Sequence, residues 1–357
     1  GHTDINFDPM SAGRQMGGHF ATHSLDENGN WKNLTQQKNS SADISPTAGQ
    51  MPRLLGLAQA SKIYRNVSGI NQTNFSENGN EIAWGTIGNA STSEGVFFET
   101  INAAGVLQVP LVMSVWDDEY GISVHAKHQT TKESISEILK GYQREEGTNG
   151  FEILTVKGWD YVDLVATYEK AATIARENHV PVLIHVNQLT QPQGHSSSGS
   201  HERYKNASRL AWEKEFDCVR QMKLWMIAIN IASPEELEEI DLATKKEVLE
   251  SKKEAWKAFI EPIIEEQKEL VALLENIAHS SKNKDKILQY SANLDRIKDP
   301  LKKEILVTAR KSLRLLINEE GQNELAQWIT KYTDKTQQKF SRHLFSESES
   351  NVLSSKK

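Results

Sequence analysis

The chain predicts an α/β fold, a parallel sheet flanked by helices, with an added C-terminal helical region. Three observations predict it. Four apolar runs, residues 81–87, 110–116, 151–156 and 181–186, start 29, 41 and 30 residues apart, close to the roughly 30-residue span of a strand–helix–strand unit. The segments between them repeat apolar residues at helical spacing. After about residue 230 the texture changes to Lys/Glu-rich helix.

The first 50 residues are polar and rich in Gly, Asn and Ser, with little that could start a core, and the chain opens on Gly1 rather than Met. A fragment missing its natural beginning is expected. Residues 50–64 read as a helix with Pro52 in the first turn, where a missing N–H costs nothing. Run 81–87 is the first strand, and helix 93–104 follows it with Ser and Thr as capping candidates. Run 110–116 is the second strand and 151–156 the third. Helix 161–178 carries Val162, Leu164, Val165, Tyr168, Ala171, Ala172 and Ile174 at helical spacing, and run 181–186 is the last strand. Farther on, Ser233-Pro234-Glu235-Glu236 reads as a capping box. Trp256, Phe259, Ile260, Ile263, Ile264, Leu270, Val271, Leu274 and Ile277 then form an apolar face that Pro262 interrupts. Three regions are therefore expected: an α/β domain over 1–230, a helical appendage over 231–340, and a linker or disordered tail over 341–357.

A formal charge of -7 and a pI near 5.9 supply no broad basic surface for nucleic acid. Cys218 is the single cysteine, which excludes an internal disulfide framework, and no apolar stretch approaches the roughly 20 residues that cross a bilayer. Small-molecule chemistry in a reducing, cytoplasmic setting is the expectation. Asn-x-Ser/Thr triplets such as Asn33-Leu34-Thr35 carry no weight without a secretory signal.

Two segments carry the chemistry. Gly88-Asn89-Ala90 and Asp117-Asp118-Glu119-Tyr120 each directly follow an apolar run, with Asn89 and Asp118 29 residues apart. If those strands are parallel neighbours, both segments lie at the carboxyl end of one sheet, where α/β proteins bind phosphates and metals. Asn89 and Asp118 then offer oxygens to a hard cation such as Mg²⁺ carrying a diphosphate, and the helix after Ala90 turns its N–H groups toward the anion. Three adjacent carboxylates repel one another unless a cation or solvent relieves them. After the fourth run, Gly194-His195-Ser196-Ser197-Ser198-Gly199 continues to Tyr204, a loop that can order on an anion, with His195 able to move protons. Each segment alone has a blander reading as a strand-to-helix turn, a solvated loop or a flexible linker. No G-x-G-x-x-G with an acidic partner, Walker-type loop or post-strand G-x-S-x-G competes.

At these residues the chain resembles the alpha subunit, or alpha half, of the thiamine-diphosphate-dependent decarboxylating component of 2-oxo acid dehydrogenase complexes. Asp8-Pro9 with the stretch from Gly13 to Phe20 looks like that family's GRQMPxH loop, and the stretch from Ile44 to Pro52 resembles its SPLATQxP turn. Gly88-Asn89-Ala90 through Ser93-Glu94-Gly95 to Asp117–Ser123 is similar to its thiamine diphosphate motif, and Gly194–Ser198 to its GHSTSDD loop. The resemblance implies the diphosphate-binding half of the thiamine-diphosphate fold. It implies that Asn89, Asp118 and the Tyr120 carbonyl hold Mg²⁺, that Gly88, Ala90, Ser45 and Thr47 line the cofactor, and that His195 stands at the reacting thiazolium. Partners implied are a beta half or subunit, a lipoyl acyltransferase component and a 2-oxo acid, pyruvate or a branched-chain one, in an assembly of two alpha and two beta parts.

The chain also departs from that pattern. Asn89 replaces an acidic ligand while Asp118 replaces an Asn, which leaves the ligand charge unchanged. Trp116 stands where many members have a phosphate-contacting Arg, and Thr47 replaces a hydrophobic residue. The extension after 230 lies outside the ordinary alpha subunit and resembles fused alpha–beta polypeptides. The chain alone is expected to be inactive, since the beta half brings the Glu that activates the aminopyrimidine. Transketolase-like ketol transfer and a non-catalytic scaffold are the alternatives.

Overall fold

The computed structural model describes residues 4–13, 21–26, 28–42, 44 and 46–340. Six strands form among them: β1 (Ala83–Gly88), β2 (Leu111–Trp116), the short β3 (Tyr120–Gly121) and β4 (Val124–His125), β5 (Glu152–Lys157) and β6 (Val182–Asn187). The four long ones pair in the order β1-β2-β6-β5, all parallel, and β3 pairs antiparallel with β4. Gly88 aligns with Trp116, Trp116 with Val186, and Val186 with Val156, so all four carboxyl ends lie along one edge. β6, the last in sequence, is inserted beside β2, and its residues Val182 to Val186 are buried throughout, as a strand covered on both faces requires.

The helices of this unit are α1 (Met51–Asn66), α2 (Gly95–Leu107), α3 (Ile135–Ile138), α4 (Tyr161–Asn178), α5 (Ala207–Glu215) and α6 (Cys218–Ala228). One sheet face packs Ile87, Leu111, Met113, Val115 and Leu183 with Met51 and Leu54 of α1 and Phe97 and Ile101 of α2. The other packs Val112, Val182, Ile184 and Val186 with Ala171 and Ala175 of α4. Gly85 lets α1 approach β1, because a Cβ there would lie 2.4 Å from a Leu54 methyl. α4 spans the predicted 161–178. The Asp160 side chain accepts the Asp163 N–H at its start, and His179 turns left-handed (φ 52°) at its end.

α2 starts later than predicted. Residues Ala90–Ser93 form a 3₁₀ turn in which the buried Thr92 hydroxyl donates to the Asn89 carbonyl at 2.6 Å, and Glu94 precedes the helix without a side-chain cap. The Ser/Thr run thus closes a turn instead of capping a helix.

The chain divides after Ser233. The second unit consists of α7 (Pro234–Ala278), α8 (Lys284–Asp295), α9 (Lys302–Leu315) and α10 (Gln322–Phe340), around Ile263, Leu270, Leu274, Ile277, Ile287, Leu294, Ile305, Leu316, Leu325 and Tyr332. Contrary to expectation, α7 runs unbroken through Pro262, which lies on its exposed side, where water can take the carbonyl left by the missing N–H. Trp256 and Phe259, predicted on the apolar face, are exposed and lie outside this core. Buried Glu266 accepts from Lys302 Nζ at 2.5 and 2.8 Å, from Lys335 Nζ at 3.1 Å and from the Tyr332 hydroxyl at 3.1 Å. Among the described residues no helix is long and apolar enough to cross a membrane. The tail expected over 341–357 and residues 14–20 of the loop after Gly13 lie outside the described residues.

Candidate functional site

The two chemistry-bearing segments meet at the carboxyl edge of adjacent strands. The parallel ladder runs one step past the strands themselves, with the Asn89 N–H donating to the Trp116 carbonyl at 3.1 Å and the Asp117 N–H to Val186 at 2.9 Å. Gly121 then lies against Ala90, since a Cβ there would fall 2.6 Å from the Ala90 Cβ. The chain from Asp117 to Gly121 is thereby laid beside Asn89 and Ala90. Gly88, the last residue of β1, has open space where a Cβ would stand, room for the close backbone approach a phosphate needs.

The three carboxylates after β2 go to three different partners. Asp117 is buried, and its Oδ2 lies 2.9 Å from His185 Nε2 while Oδ1 accepts the Glu119 N–H at 2.8 Å. His185 continues to the Ser136 hydroxyl at 2.8 Å. Glu119 pairs with Arg209 of α5. Among the described residues, Asp118 alone has no cationic side chain bonded to it. Its Oδ1 accepts the Tyr120 N–H at 3.1 Å, and no hydrogen bond engages Oδ2 among the described residues. Burial lifts the Asp118 carboxyl above the usual range, opposed by the Tyr120 N–H and by the charge of Lys205.

Asn89 is only 6% exposed, yet its carboxamide has no hydrogen-bond partner among the described residues. The carboxamide is not among the fully buried unpaired polar atoms, so it stays open to solvent and can turn to a ligand at this edge. No three His, Cys, Asp or Glu side chains converge into a metal-binding group among the described residues. A cation at this edge would rest instead on one carboxylate, one carboxamide and a backbone carbonyl, a donor set that suits a hard ion.

The loop after β6 reaches the same neighbourhood through Tyr204. Gly194 is left-handed (φ 75°), and a Cβ on it would fall 2.4 Å from the Tyr204 hydroxyl, so only glycine fits. The Tyr204 ring lies 5.6 Å from that of Tyr120. His195 Nδ1 accepts from the Ser197 N–H at 3.1 Å and lies 2.9 Å from the Ser197 hydroxyl, and no contact among the described residues joins His195 to Asn89 or Asp118.

The remaining expected residues stand apart. Thr47 is exposed in the turn before α1, with no contact among the described residues to Asn89 or Asp118, and Ser45 lies outside the described residues. Trp116, expected where an arginine would meet phosphate, is 52% exposed and donates its indole N–H to the Ser114 hydroxyl at 3.0 Å. A cleft of about 890 Å³ opens beside the Asn89–Asp118 pair, lined by Glu119, Tyr120, His125, Tyr204, Arg209 and Trp212 among others. Sequence reasoning did not single out Arg209 of α5, which donates to the Asp118 carbonyl, Lys205 just before α5, which lies over the Tyr120 ring, or Glu213, which pairs with both. Glu213 and Arg209 at an i,i+4 spacing were the available signal.

The family described as dehydrogenase E1 component matches residues 12–263, more than two thirds of the chain. The match passes residue 230 and ends inside α7, so the first part of that helix falls within the family and not outside it as expected. The chain is 27% identical over 230 residues to the 2-oxoisovalerate dehydrogenase subunit alpha of Bacillus subtilis (strain 168), covering 64% of this chain and 59% of that one. It is 25% identical over 174 residues to the pyruvate dehydrogenase E1 component subunit alpha of Rickettsia bellii (strain RML369-C), covering 48% and 50%. Against the subunit of the same name from Porphyra purpurea it is 31% identical over 165 residues, covering 46% and 45%. The chain thus spans 45% to 59% of the length of these relatives. With the parallel sheet and the edge built on β1 and β2, the match over residues 12–263 means that this chain belongs to the dehydrogenase E1 component family.

Proposed function

We propose that this chain is the alpha-type half of a thiamine-diphosphate-dependent 2-oxo acid dehydrogenase. It would work with a beta half and pass an acyl group to the lipoyl arm of an acyltransferase component. The observation that carries the reading is the pair Asn89 and Asp118, a carboxamide and a carboxylate oxygen that no hydrogen bond engages among the described residues, at the ends of adjacent parallel strands. Asn89, Asp118 and the Tyr120 carbonyl hold Mg²⁺, and Gly88 and Ala90 leave room for the diphosphate. Ser45 and Thr47 would line the cofactor only by the resemblance. When bound, thiamine diphosphate supplies the carbanion chemistry, and the protein supplies orientation and electrostatics. His195, its Nδ1 occupied by Ser197, keeps Nε2 available to hold or move a proton. The relatives' names, pyruvate and 2-oxoisovalerate dehydrogenase subunits, support a short 2-oxo acid as the substrate class.

The test is turnover in the complex with the beta partner, with pyruvate and 2-oxoisovalerate as donors and a lipoyl domain as acceptor. Release of CO₂ with reductive acylation of the lipoyl disulfide, lost in Asp118→Ala, is the expected result. Ketol transfer to an aldehyde acceptor in place of acylation would replace the reading with transketolase-like chemistry. Failure of the complex to bind thiamine diphosphate with Mg²⁺ would leave a scaffold.

A further inference from the structure

α5 and Lys205 just before it bring a set of charges into the α/β unit. Lys205 and Glu213 are both buried, and Lys205 Nζ donates to the two Glu213 oxygens at 2.7 and 2.9 Å. One turn earlier, Arg209 Nε donates to Glu213 Oε1 at 2.8 Å. The other two arms of the guanidinium leave the helix, Nη1 to the Glu119 carboxylate and Nη2 to the Asp118 carbonyl at 2.9 Å. The same group lies over Trp212 and Tyr120, 4.6 and 5.6 Å from the ring centroids, and Lys205 Nζ lies 5.1 Å from the Tyr120 centroid. Two cations and two anions balance.

A buried charge set of this kind is seldom more stabilising than apolar side chains of the same volume. What it adds is direction, because the guanidinium presents its donors in a rigid planar fork. The segment it grips needs holding. Glu119 is left-handed (φ 68°), a conformation that a residue other than glycine keeps only when its surroundings impose it. Arg209 bonds the carbonyl before Glu119 and the side chain of Glu119 itself, so it fixes the backbone on the way from Asp118 to Tyr120.

We infer that Arg209, held by Glu213, which Lys205 also pairs, is a positioning residue for the Asn89–Asp118 site: it holds Asp118 and Glu119 so that the Asp118 carboxylate and the Tyr120 backbone stay in place beside Asn89. The part that concerns a cation rests on the proposed function, and the holding of the segment does not. The fork also joins the two chain segments that reach this edge from β2 and from the region after β6.

The test uses the full chain in two measurements. Arg209→Met keeps the stem packed on Trp212 and removes every donor, while Arg209→Lys keeps the charge without the fork. Amide hydrogen exchange without ligand should rise about tenfold or more in residues 117–121 of Arg209→Met, the loss expected from a charge-assisted hydrogen bond. β6 and α4 should exchange as before, the melting temperature should hold, and Arg209→Lys should fall between. Mn²⁺ binding with thiamine diphosphate, read by electron paramagnetic resonance, should weaken in the same order. Unchanged exchange in 117–121, or a loss of protection shared by the whole unit, overturns the inference. A segment that loosens in a chain whose wild type binds no Mn²⁺ with thiamine diphosphate removes the cation site, and the positioning role at that site with it.

Discussion

Three consecutive carboxylates after β2 differ only in what the rest of the chain brings to them. Asp117 receives His185, Glu119 receives Arg209, and Asp118 receives only the Tyr120 N–H among the described residues. His185 and His195 separate in the same way. His185 is buried between Asp117 and Ser136, whereas His195 is half-buried in a polar loop and bonds only within it. His185→Ala removes the partner of the buried Asp117 Oδ2 and should cost about 3 kcal/mol in urea unfolding. His195→Ala should change stability by no more than about 0.5 kcal/mol while turnover in the assembled enzyme falls about 10²- to 10⁴-fold. Equal stabilities for the two variants would contradict this division. The positions of Asn89 and Asp118 were readable in the sequence because each follows a strand. The partners were not, since His185 and Arg209 lie 68 and 90 residues from the carboxylates they meet.

Where local chemistry decides an element, the sequence announced it. α4 has a side-chain N-cap, a left-handed C-cap and an apolar stripe, and it forms over the predicted residues. α2 shows the opposite case, because Thr92 prefers a backbone carbonyl three residues back to a helix cap. In α7, Pro262 reads as a break, yet its exposed side of the helix tolerates the missing N–H. Glu266, farther along α7, gives this unit a pH dependence. Burial pushes its carboxyl upward, and the hydrogen bonds from Lys302 and Lys335 outweigh that, so the net shift is downward. A lowered folded-state value means stability that is fully present above the ordinary glutamate range, near pH 4.3, and lost as pH falls through the depressed value. Amide protection of α9 and α10 should therefore decay on acidification in the wild type, with a flatter acid limb in Glu266→Gln. The same acid limb in both proteins would exclude Glu266 as the titrating group.

Across the whole chain, the site exists because parallel strands all end on one side. Residues 88–90, 117–121 and 194–213 come from distant parts of the sequence, and the order β1-β2-β6 brings their strands together. The strands themselves were legible from their spacing. The placing of β6 beside β2 was not, because crossover connections leave no local mark on sequence. The family match ends at residue 263, within a helix that continues to Ala278, so family and structural unit do not share a boundary. The carboxyl edge of β1 and β2 is where Asn89 and Asp118 are proposed to hold a divalent ion jointly under a diphosphate. Paramagnetic line broadening by Mn²⁺ with thiamine diphosphate, observed in amide NMR spectra of the full chain, tests it most directly. The amides of Asn89, Ala90, Glu119 and Tyr120 should broaden first, Asp118→Ala should abolish the effect, and Asn89→Asp should keep or strengthen it. Broadening centred elsewhere, or undiminished in Asp118→Ala, would contradict it.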